Sequence, residues 1–224
     1  AYTALNLFCG FGKVNTQKLR KQGYPESLIA LVERNPETKD FVLDYPKYKG
    51  LEEIDISKDV MKGEIPHFLQ WDERWGYETY GSDFLAVTGC GPTCLSMVTC
   101  GLTGDTQWNP YEVAKMAEDN GYYVDGSGSS WDLMSSGAEK LGLTVSSVIF
   151  DAEHIRATLE SGQPIICVMG PGDFTNAGHF LVLTGVDKNG DIILQDPNSV
   201  ERTKQHWDVQ KLMNQMKNLW AYSC

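Results

Sequence analysis

The chain has 224 residues, of which 42% are hydrophobic and 22% are charged, and its formal net charge is −11 at pH 7. This size and composition are sufficient to bury a core, so one domain with a modest extension is expected. The acidic balance argues against nucleic acid as a partner, because phosphate binding needs clustered Lys and Arg, and no apolar run approaches the roughly 20 residues of a membrane-spanning helix.

Residues 1–60 differ from the rest of the chain. Apolar residues at helical spacing predict a helix over 25–32, and Pro36 starts a second short helix. Residues 47–60 are charged and weakly periodic, as in a surface connector. We therefore expect a helical extension and connector over 1–60 and the main domain over 61–224. The extension either inhibits that domain or buttresses it.

The main domain begins with helices and ends with strands. Helices are predicted over 90–101, 109–121, 130–140, 151–162 and 208–216. Strands are predicted over 145–150, 164–169, 178–186, 191–196 and 219–222. Helices followed by an antiparallel sheet indicate the α+β class.

Cys90 lies at a predicted helix start with a glycine on each side, in the string Val-Thr-Gly-Cys-Gly-Pro-Thr-Cys at 87–94. Pro92 fits the first helical turn because it has no N–H to leave unpaired. A helix N-terminus carries about +0.5 elementary charge and N–H groups without helical partners, which lower the pKa of a thiol. Cys90 is therefore the candidate nucleophile, and it requires a base beside it.

A β-hairpin is predicted over residues 178–196, and His179 starts its first strand. The turn is Asp-Lys-Asn-Gly at 187–190, with its corner at 188–189 or 189–190. The imidazole of His179 is the candidate base for Cys90. The glycine-rich segment 170–178 before it is either a loop that lines the site or an ordinary strand connection.

The register of this hairpin brings a carboxylate to His179. With Val186 opposite Asp191, Leu181 lies opposite Asp196, although a bulge would shift the count by one. His179 and Leu181 share a face because strand side chains alternate, so Asp196 lies one diagonal step from His179. We therefore predict that Asp196 orients the imidazole.

The remaining thiols are weaker candidates. Six cysteines, at 9, 90, 94, 100, 167 and 224, have no short repeating spacing, and we expect most of them to be reduced. Cys94 lies one turn inside the predicted helix and Cys100 lies deeper, so core packing is expected for both. A zinc site built from Cys90, Cys94 and His179 is disfavoured, because Cys-x3-Cys lacks a second ligand pair at structural-site spacing.

The other histidines lack a matching carboxylate strand. We assign surface or packing roles to His67, His154 and His206. His206 precedes Trp207 and lies near Asp196 in the sequence, which makes it a weaker alternative base.

Four motifs in one order point to a family. They are Ile-Pro-His-Phe-Leu-Gln-Trp-Asp-Glu-Arg-Trp-Gly at 65–76, Gly-Cys-Gly-Pro-Thr at 89–93, Gly-His-Phe at 178–180 and Gln-Asp-Pro-Asn at 195–198. Together they resemble the bacterial cysteine peptidases related to bacteriocin-processing (double-glycine leader) peptidases, the family-thirty-nine-like group within the papain superfamily. The resemblance covers about residues 61–224.

The resemblance implies a role for each motif. Cys90 would be the nucleophile, His179 the general base and acid, Asp196 its orienter, and Gln70 an oxyanion-hole donor, which the resemblance alone supplies. It also implies a papain-like fold, in which a helical lobe with the nucleophile packs on an antiparallel sheet with the His and Asp. Twenty residues separate Gln70 from Cys90, a longer interval than in the leader peptidases, which argues against processing at a double glycine.

We therefore expect a cysteine peptidase or related amide hydrolase that cleaves a peptide or protein substrate through a thioacyl-enzyme on Cys90. The alternatives are a cell-wall amidase or acyltransferase that uses the same residues, and an inactive papain-like binding module. No metal or organic cofactor is expected, and the sequence leaves the oligomeric state open. The chain starts at Ala1 without a methionine, which fits a trimmed chain or a processed secreted protein. We expect a secreted or cell-surface bacterial protein, with a cytoplasmic one as the alternative.

Overall fold

A computed structural model describes residues 12–224 of the chain. The chain divides into two compact units, Ala1–Lys49 and Gly50–Cys224. Of the six cysteines, most of which were expected to be reduced, Cys9 lies outside the described residues and the other five are free thiols. Within residues 12–224, no helix combines the length and apolar character needed to cross a membrane.

The secondary structure of the described residues is mixed. The α-helices are α1 (Thr16–Lys21), α2 (Glu26–Arg34), α3 (Lys39–Asp44), α4 (Leu85–Thr88), α5 (Cys90–Thr103), α6 (Pro110–Asp119), α7 (Ser136–Lys140), α8 (Ala152–Glu160), α9 (Val200–Thr203) and α10 (Val209–Met213). The strands are β1 (Thr79–Tyr80), β2 (Asp83–Phe84), β3 (Tyr123–Val124), β4 (Gly128–Ser129), β5 (Thr144–Ser146), β6 (Ile165–Met169), β7 (His179–Val186), β8 (Ile192–Gln195), β9 (His206–Trp207) and β10 (Met216–Ser223). Short 3-10 helices span Pro36–Thr38, Tyr45–Lys47 and Trp131–Met134.

The first unit contains the helices α1, α2 and α3. The two helices predicted here correspond to α2 and α3, and Asn15 caps α1 by accepting a hydrogen bond from the N–H of Lys18 at 3.0 Å. The buried residues of this unit are Thr38 and a set of apolar residues: Leu19, Leu28, Ile29, Leu31, Val32, Phe41 and Val42.

The division between the units precedes the expected boundary near residue 60. Residues 50–60 belong to the second unit, because Ile56 is buried and Ile54 and Val60 pack against its core. These three apolar side chains attach the charged connector to the domain that follows it.

A six-stranded antiparallel sheet lies at the centre of the second unit, in the order β5-β10-β6-β7-β8-β9. Every residue of β6 is buried. Ile166 and Val168 pack in one core cluster, and Ile165, Cys167 and Met169 pack in a second cluster on the other face of the strand. The first cluster contains side chains of α5, and the second contains side chains of α8 and α10. Because helices cover both faces of β6, its sequence is a continuous apolar run rather than an alternating one.

The predicted hairpin is present as β7 and β8, which are joined by residues 187–191. The N–H of Gly190 donates to the carbonyl of Asp187 at 3.0 Å, so Lys188 and Asn189 form the corner. Gly190 has a φ of +85°, a left-handed conformation that glycine adopts without steric cost.

The pairing predicted near the turn is wrong, but the pairing near the site is as expected. Val186 pairs with Ile192 rather than with Asp191. An irregularity between Leu183 and Gly185 then shifts the register by one residue, so that Val182 pairs with Gln195. Continuing this register brings Leu181 beside Asp196, as the count from the sequence required.

Side-chain caps mark the starts of two of the predicted helices. Asn109 accepts hydrogen bonds from the first-turn N–H groups of α6, and Asp151 accepts one from the N–H of His154 in α8. The helix predicted over 130–140 is instead interrupted at Ser135, whose ψ of −89° is not helical. The strand predicted over 145–150 and the helix predicted over 208–216 are shorter in the structure, as β5 and α10.

Candidate active site

Cys90 is the first residue of α5, and its side chain is half-buried. Gly91, the next residue, lies where Ser129 of the β3–β4 hairpin packs against the helix. A Cβ atom at Gly91 would lie 2.5 Å from Oγ and 2.8 Å from Cβ of Ser129, which is too close for any side chain. The Ser129 hydroxyl is itself held by the hydroxyl of Tyr80 at 2.8 Å. The glycine beside the nucleophile is therefore required by close packing.

His179 and Asp196 are in contact at the open end of the β7–β8 hairpin. Nε2 of His179 lies 2.7 Å from Oδ1 of Asp196, and both side chains are buried. Since an ionised carboxylate only accepts hydrogen bonds, the imidazole donates from Nε2, and Nδ1 is the ring nitrogen left for another partner. The diagonal contact predicted from the register is present.

The imidazole of His179 and the thiol of Cys90 also shift each other's pKa. Burial by itself raises the pKa of the Cys90 thiol, but the hydrogen bond and charge of His179 outweigh burial, with help from backbone N–H groups of Phe180 and Gly91, so this pKa lies below its ordinary value. Burial lowers the pKa of His179, but the charge and hydrogen bond of Asp196 and the contact with Cys90 raise it to about 9. Both shifts favour a thiolate–imidazolium pair at neutral pH.

The other buried thiols behave in the opposite way. Burial raises the pKa of Cys94 well above its ordinary value, and it raises the pKa of Cys100 to about 12. Burial also raises the pKa of Cys167. The environment of Cys90 is therefore chemically distinct from that of its neighbour in the same helix, Cys94.

Asp196 is held at its backbone and at both carboxylate oxygens. The N–H of Asn198 donates to Oδ1 at 2.7 Å, and Nε of Arg202 donates to Oδ2 at 2.6 Å. The N–H of Asp196 donates to Oγ1 of Thr203 at 2.9 Å, and Nε2 of His67 lies 2.7 Å from the carbonyl oxygen of Asp196. With His179 added, every polar group of this buried residue has a partner.

The charge of Asp196 follows from these partners. Burial raises the pKa of this carboxyl, but the positive charge and hydrogen bond of His179, the charge of Arg202 and the N–H of Asn198 outweigh burial and keep the pKa below its usual range. Asp196 is therefore ionised at neutral pH.

Gln70 lies between the segment that leads into α5 and the segment that follows β8. Its backbone N–H donates to the carbonyl of Pro197 at 2.7 Å, and its side-chain Nε2 donates to the carbonyl of Ala86 at 2.8 Å. If the amide were turned over, Oε1 of Gln70 would face the carbonyl oxygen of Ala86, and neither atom can donate a hydrogen bond. The Ala86 carbonyl therefore fixes the orientation of the amide. Because a primary amide carries two N–H groups, one remains for a further acceptor. Oε1 of Gln70 is buried and has no hydrogen-bond partner among residues 12–224.

The histidines outside the predicted site differ in their roles. His154 pairs with Asp151 at the start of α8, and His206 pairs with Asp187 at the hairpin turn; both side chains are largely exposed. His67 instead supports Asp196 through the backbone carbonyl, which the sequence did not predict. Its position in the same motif as Gln70 was the available signal.

The segment 170–178 is a loop that is held in place by contacts with Gln215 and Trp207. The side-chain amide of Gln215 binds Asp173 twice, accepting from its N–H and donating to its carboxylate, each at 2.7 Å. The ring of Phe174 is buried, with its centroid 4.5 Å from that of Trp207. These contacts fix the chain that leads into His179.

Arg202 and Thr203 were also missed from the sequence. Both belong to α9, a single turn of helix that follows Asp196 and is capped by the hydroxyl of Ser199. The charged run in this turn is typical of an exposed helix, and only the tertiary contacts show that it faces the carboxylate. Among residues 12–224, no group of three or more His, Cys, Asp and Glu side chains could hold a metal ion.

Comparisons with known proteins bear on residues 62–223. These residues match the model of the Peptidase_C39 like family. A crystal structure of a Bacillus anthracis protein described as a C39-like peptidase is similar, with 18% sequence identity and a TM-score of 0.41, and the match covers 74% of this chain and 97% of the other. No curated protein matches the chain. The family model spans most of the chain, so this protein, with its α+β papain-like fold, belongs to the Peptidase_C39 like family of cysteine peptidase-like proteins.

Proposed function

We propose that this protein is a cysteine peptidase that hydrolyses an amide bond of a peptide or protein through a thioacyl-enzyme on Cys90. One observation carries the proposal: Nε2 of His179 lies 2.7 Å from Oδ1 of Asp196, which leaves Nδ1 of the imidazole for Cys90. This arrangement lowers the pKa of Cys90 and raises that of His179 to about 9. A nucleophile and base that are ionised together near neutral pH are the chemical requirement for thiol acyl transfer.

In the first step the Cys90 thiolate attacks the carbonyl carbon of the substrate and forms a C–S bond. The carbonyl oxygen becomes an oxyanion, which can accept hydrogen bonds from the second N–H of Gln70 and the backbone N–H of Cys90. When the oxyanion collapses, the C–N bond breaks and the imidazolium of His179 gives its proton to the leaving amine.

In the second step water releases the acyl group. The neutral imidazole of His179 takes a proton from water as the hydroxide attacks the thioester carbon. The C–S bond then breaks, the product leaves as a carboxylic acid, and the thiolate–imidazolium pair is restored. Asp196 keeps Nε2 protonated throughout and so presents Nδ1 of the imidazole to Cys90 in both steps.

The test is cleavage of a mixed-sequence peptide library by the full chain, with products identified by mass spectrometry. We expect new peptide termini from the parent and from Cys224→Ser, which removes an exposed thiol, and none from Cys90→Ala. Cleavage that persists in Cys90→Ala would refute the proposal.

Two further substrates, cell-wall fragments and an added acceptor amine, separate the alternatives. Release of amines from cell-wall fragments but not from peptides would identify an amidase, and transfer to an added amine without hydrolysis would identify an acyltransferase. A Cys90 thiol with ordinary reactivity and no turnover of any amide would identify a binding module.

A further inference from the structure

We propose that Arg202 is a positioning residue of this site, which holds the Asp196 carboxylate by the oxygen that His179 does not bind. The proposal builds on the proposed function in taking Cys90, His179 and Asp196 as the reacting unit. Arg202 acts on the thiol only through Asp196.

The geometry assigns one carboxylate oxygen to each cation. Oδ1 of Asp196 receives Nε2 of His179 at 2.7 Å, and Oδ2 receives Nε of Arg202 at 2.6 Å. The side chain of Asp196 is 0% exposed and that of Arg202 is 25% exposed. Charge-assisted hydrogen bonds of this length on both oxygens prevent rotation of the carboxylate, so Oδ1 stays directed at His179.

Charge balance gives Arg202 a second effect at the same contact. When Cys90 is a thiolate and His179 an imidazolium, the site holds two anions, Cys90 and Asp196, and two cations, His179 and Arg202. The charge of Arg202 is one of the causes that keep the pKa of the buried Asp196 carboxyl below its usual range. Without Arg202 the ionised carboxylate would be less well compensated at its buried position, so it would stabilise the imidazolium of His179, and with it the thiolate of Cys90, less effectively.

Arg202 is itself held in place. Its backbone N–H donates to the capping hydroxyl of Ser199 at 3.0 Å, and its carbonyl accepts from Nε1 of Trp207 at 3.1 Å. The guanidinium lies over the ring of Phe174, 5.8 Å from the centroid. An arginine fixed at its backbone and against an aromatic ring loses little further freedom on binding a carboxylate.

The titratable groups around Asp196 come from several elements. The cations at the carboxylate are His179 of β7 and Arg202 of α9, and His67 lies at the backbone carbonyl. The groups close enough for their pKa to be raised by the charge of Asp196 are the thiols of Cys94 and Cys167. Because their pKa is raised, both thiols are uncharged at neutral pH. The charged groups that contact the Asp196 carboxylate are therefore His179 and Arg202.

The test measures the rate of Cys90 alkylation by iodoacetamide from pH 5 to 10, which needs no substrate. Arg202→Met removes the charge and the donor but keeps the unbranched stem. We expect the midpoint of the alkylation curve to rise by about one pH unit, which lowers the rate below the midpoint about tenfold. Arg202→Lys, which keeps the charge, should restore most of the parent curve.

Arg156→Met is the matched control. Nε of Arg156 donates to the carbonyl of Gly190 at 2.8 Å, so this variant also removes an arginine from a partly buried hydrogen bond, but at the far end of the hairpin. Its alkylation curve should coincide with that of the parent. If Arg202→Met does not fold, as judged by thermal unfolding, Arg202→Gln keeps a donor and should shift the midpoint in the same direction by about half a unit.

A double variant tests whether Arg202 acts through Asp196. In an Asp196→Asn background, adding Arg202→Met should move the midpoint by less than a third of its effect in the parent, since effects that pass through one shared residue do not add. An undiminished shift in that background, or an unshifted curve for Arg202→Met alone, would overturn the proposal. So would an equal shift in Arg156→Met.

A second readout separates this proposal from the peptidase proposal. We expect the imidazole N–H proton of His179 that is bonded to Asp196 to give a downfield NMR resonance in the resting enzyme. We expect this resonance to broaden in Arg202→Met and to persist in Arg202→Lys. If no peptide is cleaved but these spectra change as expected, the peptidase proposal is refuted and the positioning role of Arg202 stands. If the resonance is unchanged in Arg202→Met, the positioning role of Arg202 is refuted.

Discussion

Replacing His179 with Ala tests the thiolate–imidazolium pair most directly. In the parent, burial raises the pKa of Cys90 and the contact with His179 overcomes that effect. Once the imidazole is removed, the effect of burial on this pKa is opposed by the weaker contributions of the backbone N–H groups of Phe180 and Gly91. The sign of the shift should therefore reverse, and the thiol pKa should lie above its ordinary value instead of below it.

The magnitude follows from the contact. Opposite unit charges about 4 Å apart, at an effective dielectric constant of about 20, attract each other by about 4 kcal/mol. Since one pKa unit corresponds to about 1.4 kcal/mol, loss of the imidazolium should raise the pKa of the Cys90 thiol by about 3 units. At any pH below both midpoints, this reduces the thiolate fraction about a thousandfold.

The assay is alkylation by iodoacetamide at a series of pH values, with the labelled cysteine identified by peptide mass. The parent should react rapidly at about pH 6, and His179→Ala should react at that rate only well above about pH 8. Cys224, an exposed thiol in the same chain, is the internal reference, and its labelling should be equal in parent and variant.

Two results would refute this reasoning. One is a parent whose Cys90 reacts only above about pH 8, where an unperturbed thiol titrates. The other is a His179→Ala variant that keeps the parent curve. Either would show that the contact between the two side chains does not activate the thiol.

Three further predictions concern turnover and stability. Because the pKa of His179 is raised to about 9, the imidazolium persists below that pH and is lost above it, so kcat/KM should fall above about pH 9. Asp196→Asn should move this fall in the pH–rate profile towards about pH 6.5 and lower kcat at least about 100-fold. A fall that stays at about pH 9 in the variant would contradict the assignment. Gln70→Ala should lower kcat about 10²- to 10³-fold with a smaller change in KM, as measured by steady-state kinetics, and a change confined to KM would argue against an oxyanion role. Gly91→Ala, whose Cβ would lie 2.5 Å from Oγ of Ser129, should lower the free energy of unfolding by about 1–3 kcal/mol, and Ser129→Gly should restore most of it; equal Tm values for Gly91→Ala and the parent would show that the hairpin can move aside.

The sequence by itself determined the elements that carry Cys90, His179 and Asp196. A glycine-flanked cysteine at a helix start, an apolar run with β-branched and aromatic residues, and an Asn-Gly turn are local signals, because each depends on residues only a few positions apart. The hairpin count also brought Asp196 to His179. That count succeeded for a reason that the sequence does not reveal. Val186 pairs one residue away from the predicted partner, and the irregularity between Leu183 and Gly185 shifts the register back by one residue.

Gln70 marks the limit of local reasoning. Nothing in its spacing indicates catalysis, and only the resemblance to known peptidases drew attention to it. Its amide is oriented by the carbonyl of Ala86, and its backbone is tied to Pro197, more than a hundred residues away in the chain. Such an orientation depends on how two segments pack.

The tertiary structure alone decided what surrounds Asp196 and Cys90. Arg202 belongs to a charged turn that is typical of a solvent-exposed helix, and His67 reaches the carbonyl of Asp196 across 129 residues of sequence. The distinction between Cys90 and Cys94 is likewise one of environment, since burial raises the pKa of Cys94 while the imidazole of His179 lowers that of Cys90. Helix caps and strand alternation fix local backbone conformation, whereas hydrogen bonds between distant segments and the burial of charge exist only once those segments have packed together.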